Sequence, residues 1–440
     1  MKQVLVLGAG LVARPLVRYL LDEPDFQVTV ATRTVSKAEN LIDNHPRGIA
    51  MTIDVQDEAA LRSAIAPADI VISLIPWIHH MKVANLCVEL GKNLVTTSYV
   101  KPEMQALDAA VREKGLIFLN EIGVDPGIDH MAAMSVINRV KSEGGSISSF
   151  FSYCGGLPAH CDNNTPLGYK FSWSPVGVML AAKNNGSYLK DGKIVNVAPE
   201  QLFEHYWLLD VPDGGTFEAY VNRDALPYLE IYGIKDAKSM YRGTLRNIGH
   251  CETWNYFKKI GLLNQEHTFD FSQTSPREVM AALVDSNGDN LLEDIARFLE
   301  VPKHSVTIKK MQWLGLFSEK KLPLKEGSVF DMFAYILENT LVYGEGEVDL
   351  LVQHHEFIAE YPDGTKRKFT STMVDTGIPD GDSSMARTVS LPAAIATKLI
   401  LKGQINLTGV QIPVLPEIYE PVLKELDTMD IRLIEREVAL

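Results

Sequence analysis

Four apolar residues, Val4-Leu5-Val6-Leu7, run straight into Gly8-Ala9-Gly10-Leu11-Val12-Ala13, and an amphipathic stretch continues to Leu21. An apolar run, a glycine turn and a helical pattern in that order predict a buried strand, a tight corner and a helix N-terminus. That is the phosphate-cradling corner of a dinucleotide-binding βαβ unit. Gly8 permits the tight turn, and Gly10 lets the backbone approach a pyrophosphate with no Cβ in the way. Ala13 lets the helix pack close on the strand. The first helical N–H groups, with their partial positive charge, then face the phosphates.

The next apolar run, Gln27-Val28-Thr29-Val30-Ala31-Thr32, reads as the second strand and ends in Thr32-Arg33-Thr34, with Lys37 just beyond. An NAD site usually places a carboxylate there, on the ribose 2′-OH. A guanidinium instead pairs with a 2′-phosphate, often bidentately. The pattern predicts NADP(H) over NAD(H); the other reading of Arg33 is a solvated strand-end residue.

At 440 residues, 46% hydrophobic and 22% charged, the chain can bury a sizeable core and is long enough for two or three domains. A net charge of -14 disfavours nucleic acid and anionic membrane surfaces as partners. It leaves an anionic substrate open, since local arginines override a global field. Cys87, Cys154, Cys161 and Cys251 show no metal-ligand spacing and are too few for a disulfide scaffold. The first strand begins near residue 3, so no secretory signal is expected, and no apolar run reaches the roughly 18 residues of a membrane span. A cytoplasmic protein is the simplest expectation.

Strand and helix patterns alternate through the first 120 residues. Strands are expected at Ile49-Ile53, Ile70-Ile75, Asn93-Thr97 and Ile117-Asn120. Helices are expected from Thr34 to Leu41, from Glu58 to Ala64 behind an Asp57 cap, from His80 to Glu89 and from Pro102 to Lys114. Six strands with helical crossovers predict an α/β fold, a doubly wound parallel Rossmann-type sheet. After Asp125 the pattern changes. Residues 126–252 and 342–389 read as a second α/β substrate domain, and 253–341 as a helical insertion broken at Gly261, Pro276, Pro302 and Pro323. In the second domain, a helix from Asp129 to Lys141, a strand over Ser146-Tyr153 and a hairpin of Leu350-Ala359 with Lys368-Asp375 are expected. The tail from about 390 reads as helix, irregular chain and helix, able to pack back on domain 1–125.

Ligands of open parallel sheets lie beyond the carboxyl ends of the strands. Tyr99 and Asp125 fall at such ends. Each is a candidate for proton transfer near a nicotinamide, or else a packed tyrosine and a turn residue before Pro126. Cys154 sits in a dense loop, Ser152-Tyr153-Cys154-Gly155-Gly156-Leu157-Pro158, as a ligand-facing thiol or an inert buried one. Arg223, Arg242 and Arg246 occupy loop-like settings suited to carboxylates, or to plain solvent. His79-His80 and His354-His355 lack zinc spacing, and Asp285-Ser286-Asn287-Gly288-Asp289 fails as a calcium loop because Ala296 falls at the twelfth position; no metal is expected.

Taken with Gly8 to Ala13, several strings carry a resemblance: Thr32-Arg33-Thr34, Thr97-Ser98-Tyr99-Val100, Asn120 through Asp125-Pro126-Gly127-Ile128-Asp129-His130, Ser152 through Pro158, Pro166 through Ser174, Asn222-Arg223-Asp224 and Arg242 through Arg246. Together they resemble the NADP-dependent, glutamate-forming saccharopine dehydrogenases, densely over the first 260 residues and loosely beyond. The resemblance implies interconversion of saccharopine with L-glutamate and 2-aminoadipate 6-semialdehyde through an imine, using NADP, in a homodimer. It implies cofactor contacts at Gly8, Gly10, Leu11, Val12, Ala13, Thr32, Arg33, Thr34, Asp54, Val55, Ile75, Thr97, Ser98, Val124, Asp125, Pro126 and Ser174. Substrate contacts fall at Ser98, Tyr99, Asp125, Arg223, Thr244, Leu245 and Arg246, and proton handling at Tyr99, Asp125 and Cys154. Two other readings are a carboxynorspermidine-type imine reductase, which Arg223 and Arg246 disfavour, and a non-catalytic NADP-binding sensor. Pro158 through Asn164 and the chain after Gly249 depart from the family pattern.

Overall fold

The computed structural model describes residues 1–440. The chain divides into two compact units, one of Met1–Ser148, Glu230–Asp236 and His355–Leu440, the other of Ser149–Leu229 and Ala237–His354.

The first unit opens with β1 (Lys2–Leu7), α1 (Ala13–Asp22), β2 (Phe26–Thr32), α2 (Val35–Ile42), β3 (Gly48–Thr52), α3 (Glu58–Ile65) and β4 (Ile70–Ser73). It continues with α4 (His80–Leu90), β5 (Asn93–Thr96), α5 (Pro102–Gln105), α6 (Asp108–Glu113), β6 (Ile117–Leu119) and α7 (Ile128–Ser142). The six strands lie in the order β6-β5-β4-β1-β2-β3, all parallel, with β1 in register against β2 (Val4 opposite Val28) and β4 (Val4 opposite Ile70). Near-continuous apolar runs suit strands covered on both faces. Leu5, Leu7, Val71, Leu94 and Phe118 pack with Leu61 and Ile65 of α3 and Val83 of α4. The chain winds one way from β1 to β3 and the other way from β4 to β6. The switch point is therefore the carboxyl end of β1, where Gly8 stands.

A seventh parallel strand, Gly409–Gln411, joins beside β6. It comes from the stretch of tail expected to be irregular; three residues are too few to show a period. The same contact explains why the helix expected from Pro102 to Lys114 is two. The Asp108 carboxylate accepts the Val410 N–H at 2.8 Å and the Arg112 Nε–H at 2.7 Å, so α6 restarts where it docks on the added strand. The tail helix begins at Ser384, six residues before the expected start, capped by the Ser383 side chain. A last strand, Ile434–Ala439, pairs antiparallel with Lys366–Thr376; all six of its residues are exposed, so no apolar alternation announces it.

In the second unit, strand Tyr206–Val211 pairs antiparallel with Gly215–Val221, which pairs antiparallel with Ser239–Arg246, which runs parallel to strand Ser146–Pro158. Two expectations are corrected here. Ser152 to Pro158 is strand rather than loop, and Arg242 and Arg246 are buried strand residues rather than loop arginines. Gly155 explains the first. A Cβ there would lie 2.5 Å from the Leu245 carbonyl oxygen, so the two strands approach only because that side chain is missing. The helical periodicity of 253–341 corresponds to helices Pro276–Leu283, Leu291–Leu299, Val306–Trp313 and Val329–Thr340 following His250–Lys259. Ser275 and Ser328 open two of these with capping boxes.

Candidate active site

The glycine corner has the geometry its residues predict. Gly8 adopts φ 110°, and a Cβ there would sit 2.9 Å from the Leu74 carbonyl oxygen. A Cβ on Gly10 would meet nothing within 4 Å, so its backbone lies open to approach. Leu11 is exposed, Val12 supplies no side-chain cap, and the first turn of α1 holds no acidic residue. In this ten-residue helix the Ala13 N–H donates to the Gly10 carbonyl at 3.1 Å and Pro15 has no N–H, so the Arg14 amide is the first-turn donor left to a ligand. At the end of β2, Arg33 and Thr34 are exposed, Thr32 half-buried, and Arg33 makes no ion pair within the chain. Beyond β3 the Asp54 carboxylate accepts the Gln56 N–H at 2.9 Å, fixing the turn that carries Val55. Ile75 follows β4, and Thr97 and Ser98 follow β5, so these residues share the carboxyl end of one sheet.

Tyr99 and Asp125 come together. The Tyr99 hydroxyl donates to Asp125 Oδ1 at 3.1 Å, and the Asp125-Pro126 bond is cis. The backbone around them is held by residues to which sequence reasoning gave no role. Glu121 takes φ 56° and is buried; its Oε1 accepts the Val100 N–H at 2.8 Å, and its Oε2 meets His130 Nε2 at 2.8 Å. His130 Nδ1 in turn meets the Tyr232 hydroxyl at 2.6 Å. Gly127, at φ 147°, leaves no room for a Cβ, which would fall 2.0 Å from the Gly123 carbonyl oxygen. The Asp129 carboxylate accepts the Gly127 N–H at 2.6 Å. The Asn120-to-His130 string is therefore a rigid mount for Val124, Asp125 and Pro126. His80 was also passed over, because no partner spacing marks it. It is buried between the Ser73 and Ser98 hydroxyls, each 2.8 Å from a ring nitrogen, and burial lowers its pKa to about 4.

The second unit holds the other candidates. Thr244 lies opposite Cys154, Arg242 opposite Ser152 and Glu218 opposite Arg246. Alternation along the strands therefore puts Ser152, Cys154, Glu218, Arg242, Thr244 and Arg246 on one sheet face. Tyr153, Tyr241 and Trp207 share the other face, as does Leu245, which the resemblance places at the substrate. Cys154 is buried. Arg246 is only 7% exposed, and its guanidinium lies 5.0 Å over the Tyr169 ring. It donates once, to the Leu245 carbonyl at 2.8 Å, and its Nε has no acceptor. Glu218 does not neutralise it, because that carboxylate accepts the Gly249 and Cys251 N–H groups, both at 2.7 Å. Neighbouring Lys170 is paired instead, at 2.5 Å, with Glu347, whose carboxyl is held down to about 2 by that lysine, the Gly344 amide and Asn164. Arg223 stands exposed just after strand Gly215–Val221, at φ 58°. Ser174 caps helix Pro175–Ala181, accepting the Gly177 N–H at 3.2 Å.

A doubly wound parallel sheet with an open glycine corner and an uncapped helix at its switch point defines a dinucleotide-binding domain, and the titratable pair at its strand ends suits an oxidoreductase. Residues 4–119 match the model of the saccharopine dehydrogenase NADP binding domain, and residues 123–431 that of the saccharopine dehydrogenase C-terminal domain. The chain belongs to the saccharopine dehydrogenase family, and its first domain binds NADP. It is 39% identical to saccharopine dehydrogenase [NADP(+), L-glutamate-forming] of Schizosaccharomyces pombe, over 99% of each chain. It is equally identical to the Saccharomyces cerevisiae protein of that name, over 100% of each. Mitochondrial alpha-aminoadipic semialdehyde synthase of Mus musculus is 36% identical over 97% of this chain and 46% of its own length. The apo structure of the L-Glu forming saccharopine dehydrogenase from Saccharomyces cerevisiae superposes with a TM-score of 0.90 at 38% identity, covering both chains fully.

Proposed function

We propose that this protein interconverts saccharopine and NADP+ with L-glutamate, 2-aminoadipate 6-semialdehyde and NADPH, in lysine metabolism. The observation that carries the substrate assignment is the buried, unneutralised Arg246 guanidinium. Saccharopine brings three carboxylates, whereas a polyamine imine would place positive charge against it. Bound NADP(H) supplies the hydride acceptor or donor. In the oxidative direction the substrate loses a hydride and an amine proton and becomes an imine. Water then adds to the imine carbon, and the C–N bond breaks to release glutamate and the aldehyde.

The residues divide that work. Gly8, Gly10, Leu11, Val12 and Ala13 hold the pyrophosphate, and Arg33 between Thr32 and Thr34 takes the 2′-phosphate. Asp54 and Val55 flank the adenosine end. Ile75, Thr97, Ser98, Val124, Asp125 and Pro126 orient the nicotinamide end, with Ser174 a further contact. Ser98, Tyr99, Asp125, Arg223, Thr244, Leu245 and Arg246 meet the substrate. Tyr99 Oη, already donating to Asp125, is the site of proton exchange with the amine, with Cys154 a second. Rate comes chiefly from positioning. Single replacements of Tyr99, Asp125 and Cys154 should each leave measurable turnover; total loss from any one, with ligand binding intact, refutes that. We further infer a homodimer, for which the exposed strand Ile434–Ala439 at the edge of its sheet offers a surface. A reducing, cytoplasmic setting is supported by four free thiols.

The deciding assay follows absorbance of NADPH with L-saccharopine and NADP+, with NAD+ in parallel and carboxynorspermidine as control. Turnover with saccharopine and NADP+ is expected. Activity on carboxynorspermidine alone overturns the substrate assignment, and NADPH binding without turnover of any imine overturns catalysis.

A further inference from the structure

His80, the first residue of α4, bridges two strand ends. Its Nδ1 lies 2.8 Å from Ser73 Oγ at the end of β4, and its Nε2 lies 2.8 Å from Ser98 Oγ just after β5. Burial keeps the ring neutral, so one nitrogen carries a proton and the other a lone pair. Which is which follows from the hydroxyls. Ser73 is 1% exposed, and His80 is the side chain its hydroxyl meets. If Nδ1 carried the proton, Ser73 could only accept, and its own O–H would be a buried donor without an acceptor, the more costly arrangement. Ser73 therefore donates to Nδ1, and Nε2–H donates to Ser98 Oγ. Thr96 Oγ1 is farther from Nε2, at 3.4 Å, and already accepts the Ser98 N–H at 3.3 Å. The Ser98 carbonyl accepts the Glu121 N–H at 3.1 Å, so the backbone is fixed and the hydroxyl rotor is the remaining freedom.

We infer that Ser73 and His80 are positioning residues that polarise Ser98 one way, with its oxygen occupied by His80 and its proton turned outward to an acceptor oxygen of the bound ligand. That oxygen belongs to the nicotinamide carboxamide or to a substrate carboxylate. A chain of donors all pointing one way also strengthens its last member. The inference rests on the dehydrogenase reading above, because it takes Ser98 to lie at the reacting end.

Ser73→Ala, Ser98→Ala and the double variant test it, through the NADPH dissociation constant by fluorescence and the saccharopine KM at saturating NADP+. Ser98→Ala should raise one of the two constants about tenfold. Ser73→Ala should raise the same constant about three- to fivefold, by letting the imidazole adopt either tautomer. The double variant should match Ser98→Ala alone. The NADPH constant moving identifies the carboxamide as acceptor, and the saccharopine constant moving identifies a carboxylate. Multiplying effects in the double variant overturn the relay, as does Ser73→Ala moving neither constant while only the melting temperature falls. Ser98→Ala moving neither constant overturns it as well. A wild-type protein that binds NADPH but ignores saccharopine refutes the dehydrogenase reading, and the NADPH constants alone then decide the relay.

Discussion

Replacing Arg246 by methionine should weaken substrate binding without weakening the fold. In the ligand-free chain the guanidinium is buried, donates one hydrogen bond, leaves its Nε without an acceptor and has no carboxylate partner. A buried charge so placed contributes little to stability, and its contact with the Tyr169 ring is worth about 1 kcal/mol. Methionine keeps most of the stem and lifts the desolvation cost. Unfolding free energy should therefore stay level or rise by about 1 kcal/mol, a shift of about 2 to 4 °C in melting temperature for a unit of this size. On the proposed substrate assignment the same group faces a substrate carboxylate in a low-dielectric setting. Hydrogen bonds between charged partners contribute about 1.5 to 3 kcal/mol, and removing one partner strands the other, so the loss is about 3 kcal/mol. Saccharopine KM should rise by about two orders of magnitude, with the NADPH dissociation constant unchanged. Steady-state kinetics and thermal melts read both halves. A KM within twofold of wild type, or a stability loss of about 3 kcal/mol in the ligand-free protein, refutes the reasoning.

Arg33→Glu should weaken NADPH by about 2 kcal/mol, some thirtyfold, while NADH changes little; equal losses for both cofactors in a fluorescence titration would show that Arg33 does not read the 2′-phosphate. His80 links stability to pH. Its folded pKa of about 4 lies below the ordinary value of 6.5, so neutral His80 favours the fold and this share is present above pH 6.5 and lost as pH falls toward 4. Relative to His80→Gln, wild type should lose about 2 kcal/mol between pH 7 and pH 5 in urea unfolding, and parallel curves would contradict the burial argument. Gly155→Ala should cost about 2 kcal/mol or more, because its Cβ meets the Leu245 carbonyl; a melting temperature equal to wild type would mean the strands separate freely.

What the sequence made legible follows from how each feature is encoded. The glycine corner, the parallel strands and the Arg33 position were readable because each is a local pattern with one physical solution. Tyr99 and Asp125 were readable as strand-end residues, though their contact depends on a turn no spacing reveals. Cys154 and Arg246 stood out as candidates but were misplaced as loops, since Gly155-Gly156 and Gly243 look like turn signals when only a neighbouring strand shows why a side chain is missing. The hub of Glu121, His130 and Tyr232 joins residues up to 111 positions apart, and His80 joins Ser73 to Ser98 across two strands. No periodicity announces such contacts. The strands Gly409–Gln411 and Ile434–Ala439 escaped because one is short and the other is exposed along its whole length.

The seventh strand of the first sheet sets an order on synthesis. About 290 residues separate Leu119, the end of β6, from Gly409, and the second unit is complete once His354 is made. At the usual pace of translation, about 5 to 20 residues per second, the NADP domain waits about 15 to 60 seconds for its last strand. Throughout that interval β6 presents an open edge, and Asp108 lacks the Val410 amide that anchors α6. The unit made first thus finishes last on the ribosome, and its unpaired edge is the surface a chaperone has reason to cover.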